Sequence, residues 1–369
     1  MVCVMLDELM LDDLLVLIAC YLPLLMDRVS FSRSHRRILT LLRPIITEDL
    51  ERPAEAAAAL GFTHKQKCMW MNPSTRFSRV CLPEVSIAET LKFNKVLTSL
   101  CLARNTISDD GAAAISNELA FNQVLTELKL GYNEMTDGGT KALASALKVN
   151  VVLTKFHLYG NELGEKGVFA IAEALKVNKV LSDLDLRHNE IEDTGANHIA
   201  DALKVNMVIT NLGLGENFIR CTGARELAEA LKVNRTVTRL YLYNNEIHHA
   251  GALSIAGALR VNSVLNMLAL DDNEIEDAGA DAIAKGMNVN RVLTALSLNN
   301  NRIGDTGATC LADALKINNT LTTLGLDDNY IEKEGVTAIG KALQSNCSLT
   351  GLRCVCPHHV YPHEPRITA

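Results

Sequence analysis

A repeat of 28 residues constrains the fold of this chain more than any other feature of its sequence. The letters ALKVN fill residues 146–150 and return at the same step at 174–178, 202–206 and 230–234. When the chain is aligned on itself at this step, nine units each carry one Gly and two Asn residues at equivalent positions. Such a period is typical of a solenoid, in which each unit packs only against its neighbours.

The hydrophobic pattern changes halfway through each unit, and this change predicts the secondary structure. Leu212 and Leu214 alternate with polar residues or Gly, which indicates a short strand with one apolar face. Leu227, Ala230 and Leu231 follow at helical spacing. Each unit is therefore predicted to form a strand, a turn and a helix.

Polar columns of the repeat have predictable structural roles. The Asn that ends each L-x-L-x-x-N run can turn inward and bond unpaired backbone groups of neighbouring turns, so the stacked units are expected to form an Asn ladder. The Asn that ends ALKVN is expected to close the helix in a left-handed turn. A column of Asp suits a helix N-cap, which accepts hydrogen bonds from free amides of the first turn; it occupies positions 109, 137, 193, 277 and 305.

Stacked units would place parallel strands on a concave wall and helices on a convex wall. The runs L-x-L-x-x-N and I-x-D-x-G-A-x-x-I/L-A-x-A-L resemble the ribonuclease-inhibitor class of leucine-rich repeats, which ribonuclease inhibitor, the sensor arms of NOD-like receptors and Ran GTPase-activating proteins share. The resemblance implies an α/β leucine-rich-repeat solenoid, shaped as a curved horseshoe, over residues 83–352. Residues 1–82 are expected to form a small helical N-terminal region, and residues 353–369 a C-terminal tail.

The side chains that vary between units lie between and just after the strand leucines, where we expect them to face solvent on the concave wall. Several are Tyr and Arg, which supply contact area at low entropic cost and dominate interface hot spots. The alternative is a solvated face without a partner, because polar strips also serve solubility. We predict a surface for a protein partner at Tyr132, Lys155, His157, Tyr159, Asp183, Asp185, Arg187, Glu216, Arg239, Tyr241, Tyr243, Asp271, Asp272, Asp327 and Asp328.

The last units of the repeat look acidic on this surface. Asp271, Asp272, Asp327 and Asp328 all fall there, and no Lys or Arg accompanies them at these positions. Because complementary charge steers association, this pattern favours a partner with a basic patch.

Residues 11–39 depart from the repeat and combine an acidic start, an apolar run around Pro23 and a basic run. They resemble an F-box, the helical module that docks a Skp-type adaptor of a ubiquitin ligase. The pattern departs from that module at His35, where an F-box usually carries Trp. The alternative is a helical cap over the apolar end of the first repeat, with Trp70 covering that end.

Composition argues against several classes of function. A formal net charge of −7 offers no basic footprint, so no nucleic-acid partner is expected. The apolar run at residues 14–26 is too short to span a bilayer, and no membrane partner is expected. Ten Cys residues without paired spacings indicate free thiols in a reducing, cytoplasmic location.

No catalytic constellation and no phosphate-binding glycine loop stands out, so we expect a non-enzymatic interaction module without a cofactor. Cys221 with His249, and the Cys and His residues of the C-terminal tail, are weak metal candidates for which drift at an exposed edge or a capping tail is the better interpretation. Regulation of a small GTPase rests only on the resemblance to Ran GTPase-activating proteins. It would need an Arg such as Arg104 or Arg187.

Overall fold

The computed structural model describes residue 88 and residues 91–354, which form a continuous stack of strand–helix units. Its sheet contains ten parallel strands in chain order, β1 to β10: Ser99–Cys101, Glu127–Lys129, Lys155–His157, Asp183–Asp185, Asn211–Gly213, Arg239–Tyr241, Met267–Ala269, Ala295–Ser297, Thr323–Gly325 and Gly351–Arg353. The helices between them in this part of the chain, α1 to α9, are Asp109–Leu119, Asp137–Leu147, Glu165–Val177, Asp193–Leu203, Cys221–Val233, His248–Leu259, Glu276–Met287, Asp305–Leu315 and Lys333–Leu343. The predicted α/β solenoid is confirmed.

Neighbouring strands pair in one register, a single repeat apart. Leu184 in β4 lies opposite Leu212 in β5, and both side chains are buried. The helix residues Leu227 and Leu231 pack against the same core, which runs through all the stacked units. Because each strand buries its central residue, its flanking side chains point to the solvent side of the sheet. We call this side the strand face.

The predicted Asn ladder is confirmed, and each rung ties successive units together. The side-chain amide of Asn217 donates to the carbonyl oxygens of Leu186 in the preceding unit (3.1 Å) and Leu214 in its own unit (3.0 Å). Its Oδ1 accepts from the backbone amides of Asn189 (3.2 Å) and Ile191 (3.1 Å). These bonds satisfy buried backbone groups that the short strands leave without partners.

The Asn of ALKVN forms a second ladder without the predicted left-handed turn. Asn178 follows α3 with φ −66° and ψ 135°, an extended conformation. Its Oδ1 accepts from the amides of Val180 (2.9 Å) and Leu181 (2.8 Å), and its side-chain amide donates to the Leu147 carbonyl of the preceding unit (2.7 Å). The backbone prediction was wrong because the side chain, rather than a left-handed residue, closes the end of the helix.

The Asp column caps helices, but from the neighbouring unit. Asp193 is the first residue of α4, and the N-cap position before it is Glu192. Asp193 Oδ1 accepts from the amides of Arg220 and Gly223 at the start of α5, both at 2.8 Å. A Cβ on Gly223 would lie 2.7 Å from that oxygen, so the capping bond leaves no room for a side chain at this position. The prediction that each Asp caps its own helix was therefore wrong: Asp193 caps the helix of the next unit.

Candidate functional site

The predicted binding residues lie on the strand face and in the turns that follow the strands. All of them are exposed or half-buried except Asp185, which is 6% exposed. Its burial means that Asp185 supports a neighbouring side chain and offers little surface to a partner.

Asp185 holds Arg187 in a fixed orientation. Arg187 Nε lies 2.8 Å from Asp185 Oδ1 and Nη2 lies 2.7 Å from Oδ2, a bidentate pair. These hydrogen bonds to the carboxylate raise the pKa of Arg187. Its Nη1 donates to Tyr243 Oη at 2.9 Å. Arg187 therefore spans from the unit of β4 to the unit of β6.

Glycines in the intervening unit leave room for this span. A Cβ on Gly213 would lie 2.8 Å from Asp185 Oδ1 and 3.1 Å from Arg187 Cγ. A Cβ on Gly215 would lie 2.9 Å from Tyr243 Cε1. The absence of these side chains lets Arg187 and Tyr243 lie over the unit of β5, where burial raises the pKa of Tyr243.

A group of rings surrounds Tyr132 on the same face. The ring of Tyr132 meets that of Tyr159 edge-on, with centroids 5.3 Å apart and planes at 83°. The Arg104 guanidinium lies 4.4 Å from the Tyr132 centroid, a cation–π contact, and the His188 ring lies 5.6 Å from it. Arg187 lies 6.0 Å from the Tyr159 ring and links this group to the preceding one. We call the combined set the aromatic patch: Arg104, Tyr132, Tyr159, Arg187, His188 and Tyr243.

Exposed cations lie beside the aromatic patch. Lys155 and Arg239 form no salt bridge within residues 91–354, whereas the carboxylates around them are engaged. Glu216 Oε2 lies 2.9 Å from His188 Nδ1. Burial would raise the pKa of Asp183, but hydrogen bonding from neighbours that include Asn211, at 2.9 Å, keeps it below its ordinary value. This half of the strand face therefore offers unpaired positive charge.

The acidic group in the last units is partly engaged by neighbouring side chains. Asp271 Oδ1 accepts from the Asn299 amide at 3.1 Å and from the Ser297 hydroxyl. Asp327 Oδ2 lies 3.6 Å from Arg353 Nε. These carboxylates lie in the units of β7 to β9 and form a group separate from the aromatic patch.

The residue before each ladder Asn adopts a left-handed conformation, with φ between 49° and 67°. An L side chain costs about 1–2 kcal/mol in this region, yet only one residue of the column is Gly. Backbone hydrogen bonds between units hold the turn: the Tyr132 amide, for example, donates to the Tyr159 carbonyl of the next unit at 2.8 Å. This left-handed column comprises Arg104, Tyr132, Gly160, His188, Glu216, Asn244, Asp272, Asn300 and Asp328.

The predicted surface omitted Arg104, although it falls in the left-handed column with Tyr132 and His188. It also omitted Gly213 and Gly215 as the floor of the patch. The sequence does mark these two positions, because Gly stands there where other units carry a side chain of the strand face. Gly213, for example, is the register partner of Tyr241. Alternation along a strand predicts which side chains project from the sheet, but it does not predict the gaps that glycines leave between them.

Within the described residues, no group of three or more His, Cys, Asp or Glu side chains is placed to hold a metal ion. Cys221 is exposed and has no disulfide, and His248 beside His249 pairs with Glu274 at 3.4 Å. The helices of residues 91–354 include none that is long and apolar enough to cross a membrane. The F-box-like residues 11–39, Trp70 and the tail beyond residue 354 lie outside the described residues.

Comparison with known proteins recognises the repeats. A family model described as leucine-rich repeat matches residues 93–116, 121–144, 177–200, 261–284, 289–312 and 318–340. The unmatched residues 145–176 and 201–260 hold Lys155, Tyr159, Arg239 and Tyr243, yet they form the same strand–helix unit. No curated protein matches the chain.

Solved structures with similarity include leiomodin-1 actin-binding site 2, at 26% identity over 34% of this chain and 76% of that chain (TM-score 0.33). The tropomodulin C-terminal domain of Caenorhabditis elegans is 12% identical over 42% of this chain and 93% of that chain (TM-score 0.36). The leucine-rich repeat-containing protein LegL7 of Legionella pneumophila is 16% identical over 73% of this chain and 87% of that chain (TM-score 0.46). The matched segments and the unbroken sheet register show that this solenoid is built from leucine-rich repeats.

Proposed function

We propose that this protein is a non-enzymatic recognition module that binds a protein partner on its strand face. Leucine-rich repeats generally mediate protein–protein interaction, and a solenoid provides an extended surface for it. The aromatic patch is the observation that carries the proposal. Its Tyr and Arg side chains are the residue types that dominate hot spots, and their mutual contacts reduce the entropy lost on binding.

The charges around the patch indicate which charges the partner's surface carries. Lys155 and Arg239 favour acidic groups on the partner near the patch. Asp271, Asp272, Asp327 and Asp328 favour a basic region farther along, as the sequence predicts. The partner therefore carries charges of both signs, arranged along the direction of strand pairing.

Affinity purification with a paired substitution tests this proposal. Tyr132→Ala with Tyr159→Ala removes two rings from the patch, while Tyr330→Ala removes an exposed ring outside the strand face and serves as the control. We expect recovery of the specific partner to fall by more than about tenfold in the paired variant and to stay unchanged in the control, as for hot-spot residues. Equal recovery of every partner by all three proteins, at equal melting temperature, would contradict the proposal.

A second candidate function is the substrate receptor of a ubiquitin ligase. Residues 11–39 would dock a Skp-type adaptor while the strand face binds the substrate; the supporting pattern is Leu14, Leu15, Ile18 and Leu22 before Pro23. Purification of the intact chain should then recover the adaptor. Leu14→Asp with Leu15→Asp should lose it, and the Tyr132/Tyr159 variant should retain it. Absence of the adaptor from the wild-type preparation removes this function.

Regulation of a small GTPase has weaker support. Such regulation needs an Arg free to approach the nucleotide, and the donors of Arg187 are engaged by Asp185 and Tyr243. Arg104 is then the remaining candidate. A turnover assay that finds no stimulation of small GTPases by the full chain removes this function.

Finer expectations from the sequence stay predictions. They are the ribonuclease-inhibitor class of the repeats, the cytoplasmic location, and the division into residues 1–82, 83–352 and 353–369. Limited proteolysis tests the division, because cleavage concentrates between independently folded regions.

A further inference from the structure

One edge of the solenoid carries a row of exposed apolar side chains. They are the Val of ALKVN and its equivalents, at the end of a helix or just after it, before the chain enters the next strand. Because adjacent units stack in register, these side chains recur once per unit, at a spacing between the roughly 4.8 Å of paired strands and the roughly 8–10 Å of packed helices. The row, which we call the apolar ridge, is 51–80% exposed and comprises Phe93, Phe121, Val149, Val177, Val205, Val233, Val261, Val289 and Ile317.

The same edge is basic. The ten segments that lead from a helix end into the next strand, residues 92–98 and their equivalents up to 344–350, contain eleven Lys or Arg and no Asp or Glu. Four of the eleven, Lys176, Lys204, Lys232 and Lys316, pair with acidic residues of their own helices. The other seven form no salt bridge within the part of the chain that the structure describes: Lys92, Lys95, Lys148, Lys179, Arg235, Arg260 and Arg291.

The opposite edge is acidic. The nine segments that lead from a strand into the first turn of the next helix, residues 104–110 and their equivalents up to 328–334, contain nineteen Asp or Glu and five Lys or Arg. Helix dipoles favour this arrangement of signs, because acids are stabilised near helix N-termini and bases near C-termini. They do not explain an exposed apolar row. An anionic surface would attract the edge with the apolar ridge and repel the acidic edge, which fixes the orientation of the molecule.

Backbone groups at this edge are already bonded. In the connection after α3, the amides of Val180 and Leu181 donate to Asn178 Oδ1, and the Asn178 amide donates to Ala174 O. An extended peptide would therefore find few free donors here for strand addition. Contact through side chains alone suits a lipid surface, which demands no register.

We propose that the apolar ridge and its cations form a docking edge for an anionic lipid surface. Exposed apolar side chains with flanking Lys and Arg are the combination that holds proteins at a membrane interface without spanning it. The proposal revises the sequence-based expectation of no membrane partner, which rested on the lack of a spanning segment. It is independent of the proposed function, because the strand face lies on another side of each unit.

Sedimentation with lipid vesicles tests the proposal on the full chain. The protein should sediment with vesicles of phosphatidylcholine and phosphatidylserine in equal parts at low salt, less at high salt, and remain in solution with phosphatidylcholine alone. One variant replaces Val149, Val177, Val205 and Val233 with Ser. The other carries Lys148→Glu, Lys179→Glu, Arg235→Glu and Arg260→Glu. Each should lower the partition coefficient by more than about tenfold.

Matched controls separate the edge from general hydrophobicity and net charge. One control replaces exposed apolar residues elsewhere with Ser, at Phe169, Phe218, Leu253 and Val336. The other reverses exposed cations elsewhere, with Lys141→Glu, Lys166→Glu, Arg225→Glu and Lys333→Glu. Both should bind vesicles like the wild type at equal melting temperature. Equal losses in the controls, or no phosphatidylserine-dependent sedimentation at all, overturns the proposal, and an acidic protein surface then becomes the alternative occupant of the edge.

Discussion

The junction between α4 and α5 and the junction between α5 and α6 solve the same structural problem differently. At the first, the Asp193 carboxylate accepts the amide of Arg220, and this N-cap residue stays extended at φ −99° and ψ −170°. At the second, Cys221 occupies the equivalent position and offers no carboxylate to α6. The equivalent amide, that of His248, donates instead to the Asn273 carbonyl of the following unit at 2.9 Å.

This change reverses the direction of a hydrogen bond between units. Between the units of α5 and α6, the Glu246 amide donates back to the Ile219 carbonyl at 3.0 Å. Between the units of α6 and α7, the His248 amide donates forward, to the Asn273 carbonyl. The reversal places His248 and Glu274 in left-handed conformations, at φ 54° and 53°. The junction after His249 repeats it, since the Glu276 amide donates to the Asn301 carbonyl at 2.8 Å.

The difference teaches that a capping residue in one unit decides the backbone of the next. Each left-handed residue other than Gly costs about 1–2 kcal/mol, comparable to the value of a helix cap. Glu165 also replaces Asp in this column, yet the N-cap residue of the next helix, Glu192, stays extended. The reversal therefore follows Cys221 and His249, and replacement of Asp alone does not cause it. We therefore expect the units around β6 and β7 to be less stable than their neighbours.

Removal of a capping carboxylate should have the largest effect. Asp193→Ala leaves the amides of Arg220 and Gly223 without their acceptor and should lower the free energy of unfolding by about 2 kcal/mol. Urea denaturation measures the loss, and hydrogen exchange at the Gly223 amide localises it. Asp201→Ala, which removes only a surface partner of Lys204, should cost less than about 0.5 kcal/mol. Equal losses in the two variants would show that the cap contributes nothing.

Introduction of the missing carboxylate should have the opposite sign. Cys221→Asp should raise the free energy of unfolding by about 1 kcal/mol, because the His248 amide gains an acceptor and two left-handed residues are released. Urea denaturation again measures it, and a crystal structure of the variant should show His248 at negative φ. Cys347→Asp, at another exposed Cys, is the control and should leave stability unchanged. A destabilised Cys221→Asp variant would contradict the comparison.

A glycine at position 248 should distinguish the two backbones by its sign. His248→Gly should stabilise the wild-type chain by about 1 kcal/mol or less, because Gly adopts positive φ without strain. In the Cys221→Asp background the same substitution should destabilise, since a negative φ leaves only the entropic cost of Gly. Arg220→Gly, at an extended N-cap, should destabilise both chains. If His248→Gly changes the free energy of unfolding in the same direction in both backgrounds, the comparison is contradicted.

Acid should weaken only the junctions that carry Asp, and this effect should be the smallest. Burial pushes the pKa of Asp109 up, but hydrogen bonds from Thr136 and from nearby amides keep it below its ordinary 3.8. The stability that the ionised Asp109 carboxylate contributes is therefore complete above pH 3.8. It is lost as the pH falls through the lower pKa that Asp109 has in the folded protein. Because Asp109 is largely exposed, we expect its protonation to lower the free energy of unfolding by less than about 1 kcal/mol.

Hydrogen exchange measured as a function of pH tests this acid effect, after correction for the intrinsic rate. Protection of the Thr136 amide should fall as the medium is acidified, and protection of the His248 amide, which bonds to a carbonyl, should not. In Asp109→Asn the protection of Thr136 should lose this pH dependence. Parallel loss at both amides in the wild type would contradict the assignment.

The repeat predicted the solenoid because period and alternation are properties of the chain. Leu212, Leu214 and the ladder position Asn217 lie where the template puts them. The role of Asp193 was missed because N-cap preferences describe one helix, whereas stacking brings the starts of two helices together. Alternation likewise placed Tyr132 and Tyr159 on the strand face. It did not predict the contact between Arg187 and Tyr243, which lie 56 residues apart and meet only because the unit between them carries Gly.

The left-handed column limits which side chains the strand face can acquire. Its members include Arg, Tyr, His, Glu, Asn and Asp, so single substitutions there can change charge, size and aromatic character freely. Val, Ile and Thr are unsuited to positive φ, because a branched Cβ clashes with the backbone. These are also the residues that promote β-aggregation on an exposed sheet. The backbone thus filters out the substitutions most apt to make a changing recognition surface indiscriminately adhesive.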